Sequence, residues 1–198
     1  MRRLIFYVLV LVLVLSVLCG ECFAGSPIQG VIARRNTACS YPTKDSYATG
    51  ADSDRGVIFA YNSASFTTTS AYTVVKVGVS LIKIGTPPTA NVLVYLYDDA
   101  AGEPENLIGT SSTILSSADI ATTYTTYYFD FAGVSLSTTT RYHIVIGPDL
   151  FTDTLNRIAW QSNDGGSPTE GMYRSSDAAA WTATDTSMSA YYEAKSCN

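Results

Sequence analysis

The chain has 198 residues, with 12 basic and 17 acidic side chains, a single histidine and a formal charge of −5. That length suits one domain with a sizeable core. An acidic balance with scattered basic residues excludes the electrostatic footprint of a nucleic-acid binder, and no polybasic segment is present to draw the chain to an anionic membrane.

At the start, Arg2 and Arg3 precede an almost unbroken apolar run from Leu4 to Val17, and Cys22-Phe23-Ala24 places small residues where a signal peptidase needs them before Gly25. The run falls short of the ~20 residues of a membrane span. Residues 1–24 are therefore expected to form a helical, cleaved signal peptide, leaving an exported protein with no membrane partner. Leu18 before Cys19 and Glu21 before Cys22 are both too large for a lipidation signal, and no sorting tail is visible near Asn198. Cleavage removes two positive charges, Arg2 and Arg3, and one negative, Glu21, so the formal charge moves from −5 to −6. Two of the four cysteines then remain, Cys39 and Cys197. In an oxidising compartment they are expected to pair. Closing so long a loop contributes up to roughly 4–5 kcal/mol in the chain-entropy treatment.

Residues 25–55 are polar and rich in turn formers, and are expected to be an irregular lead-in to a domain spanning 56–198. Val57 to Tyr61 is the first predicted strand. From Tyr72, Val75, Val77, Val79 and Leu81 alternate with Lys76, Gly78 and Ser80, the period-two pattern of a strand with one buried face. After Leu81 the parity reverses at Ile82 and Ile84, which predicts a β-bulge at that point. A Gly/Pro turn leads to Val92–Tyr97, apolar on both faces as in a central strand, and then to an acidic turn from Asp98 to Pro104. A short strand follows at Leu107–Ser111. Thr125–Phe131 directs Tyr127, Phe129 and Phe131 inward, and Arg141–Ile146 does the same with Tyr142, Ile144 and Ile146. Shorter strands are expected near 158–162, 172–175 and 188–194, with Trp160 in the core. No stretch of the mature chain holds a helical period over three turns. Many short strands between Gly, Pro, Asp and Ser predict an all-β fold, a two-sheet antiparallel sandwich of jelly-roll type.

The run FTTTSAYTVVKVGVSL, then VLVYLYDDAAGEPENLIGTSS, TTYYFDFAGVSLSTTTRYHIVI, IAWQSNDGG and SSDAAAWT, resembles the bacterial choice-of-anchor R domain over about residues 57–194. The resemblance implies an exported sandwich domain, often followed by a surface-sorting tail. It implies no enzymatic activity and supplies no binding residues.

Chemistry is sparse. His143, the one histidine, lies opposite Tyr142, Ile144 and Ile146 on its strand, and no Gly-x-Ser-x-Gly elbow offers it a nucleophile. Asp98 and Asp99 are sequence neighbours that diverge at a strand end, so they are poor partners for acid–base work across a glycosidic bond. No cofactor is expected; the one metal reading is a structural calcium ion at Asp98 and Asp99, against a plain solvated turn. Binding is favoured over reaction. Trp181, Tyr173, Arg174, Asp164 and Asn163 cluster in sequence as an aromatic and polar set suited to a sugar. The expected partner is a glycan, or else another extracellular protein meeting the Tyr-rich outer faces of Tyr95, Tyr97, Tyr128 and Tyr191 in an assembly.

Overall fold

The structure, a computed structural model, describes residues 39–47, 53–56, 61–147, 155–163, 172–175, 178–185 and 189–197. Apart from Cys39, these belong to one compact unit, Ser40–Asn198. The expected signal peptide and most of the expected strand at Val57–Tyr61 lie outside the described residues.

The strands in chain order are β1 (Thr43–Tyr47), β2 (Ser53–Gly56), β3 (Tyr61–Thr67), β4 (Tyr72–Ile84), β5 (Asn91–Ala100), β6 (Glu103–Thr110) and β7 (Leu115–Ser116). They continue as β8 (Thr125–Leu136), β9 (Arg141–Gly147), β10 (Arg157–Asn163), β11 (Met172–Ser175), β12 (Thr182–Asp185), β13 (Ser189–Ala190) and β14 (Tyr192–Ser196). One 3₁₀ turn, Ser117–Asp119, is the single helical element among the described residues.

These strands form two seven-stranded antiparallel sheets. Sheet A runs β1-β14-β4-β10-β13, with β8 also on β4 and β2 also on β10; sheet B runs β12-β11-β3-β9-β5-β6, with β7 on β5. The alternating residues explain the layering. Val77, Val79, Leu81, Phe129, Trp160 and Tyr192 from sheet A meet Phe66, Val94, Leu96, Ile144 and Ile146 from sheet B in one buried cluster. Each such side chain contributes about 1.5–3 kcal/mol of transfer free energy. The expected all-β sandwich is what the chain forms.

Two expectations are corrected. The bulge predicted after Leu81 is absent: β4 keeps register with β10 from Leu81 to Ile84. The irregularity sits between Val74 and Lys76, where Val74 faces Val134 and Lys76 faces Asp130, so that Phe131, Ala132 and Gly133 stand opposite the single Val75. Gly133, at φ +104, supplies the left-handed turn that the extra residues need. The kink brings Val74 into the core and leaves Val75 half-buried. The parity reversal at Ile82 and Ile84 instead marks the mouth of the sandwich, where Lys83 Nζ donates to the Ala118 carbonyl at 2.8 Å.

The second correction concerns the lead-in. The segment expected to be irregular supplies β1 and β2 to sheet A. Tyr47 pairs with Tyr192 and Thr43 with Lys195, so the first and last strands are neighbours. Cys39 and Cys197 are both disulfide-bonded, as expected of that pair. At the same edge Tyr72 OH and Asp45 Oδ2 are buried without other partners. Burial, then the Asp45 carboxylate, pushes the Tyr72 phenol far up, so it stays protonated.

Candidate functional site

The inward residues of sheet B fix which side chains stand on its outer face. With Ala64 and Phe66 in the core, β3 turns Tyr61, Ser63 and Ser65 outward; with Tyr142, Ile144 and Ile146 inward, β9 presents Arg141, His143 and Val145. In the same way β5 presents Tyr95, Tyr97 and Asp99. Pairing sets these in rows: Tyr173–Ser63–Val145–Tyr95, and beside it Ser65–His143–Tyr97.

His143 lies at the centre of this face with none of its surface accessible. Asp99 Oδ1 is 2.9 Å from Nε2, and Ser63 Oγ is 3.2 Å from Nδ1. Burial pushes the imidazole below its usual range, and the Asp99 hydrogen bond and charge oppose that shift without reversing it. The neutral ring must therefore carry its proton on Nε2 to satisfy the carboxylate, leaving Nδ1 to accept from the Ser63 hydroxyl. Serine to imidazole to carboxylate is the hydrogen-bond order of a hydrolytic triad. Yet Ser63 and His143 are both completely buried, and the Tyr173 ring stands edge-on to the imidazole at 5.6 Å. A substrate carbonyl has no approach to Ser63 Oγ in this arrangement. The chain of hydrogen bonds ties β3, β9 and the end of β5 together.

Aromatic rings surround that tie. Tyr61 and Tyr95 meet at 6.1 Å and 59°, and Trp181 meets Tyr97 edge-on at 6.1 Å and 73°. Both are pairings in which tilted rings attract. Tyr61, Tyr95, Tyr173 and Trp181 are half-buried and Tyr97 is buried. Burial raises the pKa of Tyr95, Tyr97 and Tyr173, so these phenols remain protonated and can both donate and accept hydrogen bonds.

Asp98 and Asp99 close the hairpin between β5 and β6. Its two central residues, Ala101 and Gly102, have φ +53 and +96, the signs a type I′ turn requires. Asp98 accepts from the Asn106 backbone N–H at 2.7 Å and from its side-chain Nδ2 at 3.1 Å. Asp99 accepts from Gly102 N–H at 3.2 Å through Oδ2 and from His143 through Oδ1. All four oxygens thus already serve N–H donors. Among the described residues no three His, Cys, Asp or Glu side chains converge as metal ligands.

Of the five residues grouped from sequence as a sugar site, Trp181 and Tyr173 share the outer face of sheet B. Arg174 follows Tyr173 on β11, paired with Asn62 and Thr182. Asn163 instead ends β10 in sheet A, opposite Ser189, and Asp164 lies outside the described residues. Tyr61 and the Ser63–His143–Asp99 link are additions that sequence reasoning missed. Their signal was present in the alternation of Tyr61, Ser63 and Ser65 with Ala64 and Phe66. Compared with known proteins, the chain matches no family model and no curated sequence.

Proposed function

We propose that the protein is an exported, non-catalytic β-sandwich module that binds a glycan on the outer face of sheet B. The observation that carries this is the convergence of Tyr61, Tyr95, Tyr97, Tyr173 and Trp181 on one face, beside Asp99 and Arg141. Aromatic rings stack against the C–H faces of pyranoses, and fixed carboxylate, guanidinium and phenol groups take hydroxyls. Export is supported by the leader in the sequence and by disulfide-bonded cysteines. The resemblance to choice-of-anchor R domains agrees with a surface or secreted role and rests on its sequence motifs alone.

The test is a glycan array with the mature chain and Trp181→Ala, each checked for folding by thermal unfolding. Binding to at least one glycan, weakened tenfold or more in Trp181→Ala, is the expected result; a folded protein that binds no glycan refutes the assignment. A second reading, a subunit of an extracellular assembly, is favoured by exposed Leu107 (52 %) on β6 and Ile114 (59 %) beyond it. Sedimentation that depends on concentration, with a silent array, supports that reading instead.

A further inference from the structure

On the opposite side of the molecule, the outer face of sheet A carries a second arrangement. Gly78 pairs with Tyr128 on one side and Glu193 on the other. A Cβ at Gly78 would lie 2.7 Å from Tyr128 Cε1 and 3.0 Å from Cδ1, so the phenol ring rests across a position that only glycine leaves open. Its hydroxyl donates to Glu193 Oε2 at 3.0 Å, Tyr191 OH donates to Oε1 at 2.8 Å, and Lys195 Nζ reaches both Glu193 Oε2 at 2.9 Å and Tyr128 OH at 3.2 Å. The ammonium lies 4.5 Å from the ring centroid. Burial pushes the Glu193 carboxyl up, but the donors from Lys195, Tyr191 and Tyr128 outweigh it and hold the group ionised. The next row repeats the theme, with Lys76 bonded to Asp130 and its Nζ 5.4 Å from the Tyr41 ring centroid.

We propose that this face is a second binding platform, for an uncharged polysaccharide chain, centred on Tyr128. Three observations favour that occupant. Tyr128 and Tyr41 remain 39 % and 47 % exposed although their surroundings are fixed. The charges pair off, Lys76 with Asp130 and Lys195 with Glu193, so the platform complements neither a polyanion nor a polycation. The rows around Tyr128 carry no aliphatic side chain: Lys76 and Thr126 are half-buried there and Asp130 is exposed, while Gly78 and Ser80 are covered. A protein interface would place a charge-poor apolar centre at that point. Held phenol, carboxylate and ammonium groups instead offer both donors and acceptors to hydroxyls, next to a ring for a C–H face. The proposal takes its ligand class from the glycan assignment above but stands on a different surface.

Affinity electrophoresis separates the two sites, with neutral polysaccharides (xyloglucan, galactomannan, mixed-linkage β-glucan) and polygalacturonate as the anionic probe. The variants are Tyr128→Ala, Tyr128→Phe, Gly78→Ala and Trp181→Ala, each confirmed as folded by thermal unfolding. The expected result is retardation by a neutral polysaccharide that falls at least tenfold in Tyr128→Ala and in Gly78→Ala, and by less than about threefold in Tyr128→Phe. Retardation lost in Trp181→Ala but kept in Tyr128→Ala overturns this platform and leaves the sheet B site standing. The reverse pattern upholds this platform and removes the sheet B site. Retardation by polygalacturonate alone overturns the neutral ligand, and none by any polysaccharide refutes both sites.

Discussion

Replacing His143 by alanine is the sharpest probe of what holds the outer face of sheet B. The imidazole is completely buried and makes two side-chain hydrogen bonds, so three losses can be weighed. The bond to the Asp99 carboxylate is of the charge-assisted kind, about 1.5–3 kcal/mol, and the lower end applies because Asp99 is 20 % exposed and water can replace the donor. Ser63 Oγ, with no access to water, is left unpaired at about 1–2 kcal/mol. The vacated ring space adds about 1 kcal/mol on the scale of small core cavities. His143→Ala should therefore destabilise the fold by about 3.5–4.5 kcal/mol, measured by urea unfolding at pH 7.5. Ser63→Ala added to it removes the stranded hydroxyl. The double variant should then be more stable than His143→Ala by about 1 kcal/mol, although Ser63→Ala alone destabilises.

The same residue sets a pH dependence. Its folded pKa is depressed by burial, so between that value and the free imidazole's about 6.5 the unfolded chain binds a proton that the folded chain refuses. This contribution is complete above about pH 6.5 and declines as the pH falls below it, by about 1.4 kcal/mol per unit while His143 stays neutral in the fold. Equal slopes for wild type and His143→Ala between pH 6.5 and 5 would refute the buried, neutral imidazole, and strictly additive effects of the Ser63 and His143 substitutions would refute the hydrogen-bond chain.

Further outcomes follow from the rest of the sandwich. Trp160 is completely buried and its Nε1–H donates to the Tyr191 carbonyl at 2.8 Å, so Trp160→Ala should cost about 4 kcal/mol in urea unfolding, with Trp160→Phe recovering more than half. Gly133→Ala should cost about 1–2 kcal/mol through its φ of +104 alone, because the added methyl meets only Thr73 Cγ2 at an ordinary 3.4 Å. Lys76→Ala should change stability by less than about 1 kcal/mol, since its Asp130 partner is 55 % exposed and water screens the pair. Reduction of the disulfide should lower the unfolding midpoint by an amount worth about 2–4 kcal/mol, read by comparing scans with and without reductant.

Much of the layering could be read directly from alternation, because burial of one face forces period two on β8, β9 and β14. Phe129, Ile144, Trp160, Tyr192 and Ala194 all sit where that pattern puts them. The misplaced bulge shows the limit of the method. A parity reversal in one strand has two causes, an inserted residue or a change in what covers the face, and one strand's sequence does not separate them. At Val74–Lys76 the extra residues belong to β8, and in β4 they leave only the adjacent pair Val74–Val75, which does not by itself mark where the inward face changes parity. The lead-in escaped notice because β1 is the polar run TKDSY at a sheet edge, without an apolar alternation to announce it. The partners of His143 were illegible for a related reason: Ser63 and Asp99 lie 80 and 44 residues away, and only strand order joins them.

The adjacency of β1 and β14 has a mechanical consequence. Because Thr43 opposes Lys195 and the strands run in opposite directions, the chain enters and leaves at one corner of sheet A. A load drawn through both ends would open that ladder rung by rung, the weak geometry of a zipper, instead of shearing all its hydrogen bonds at once.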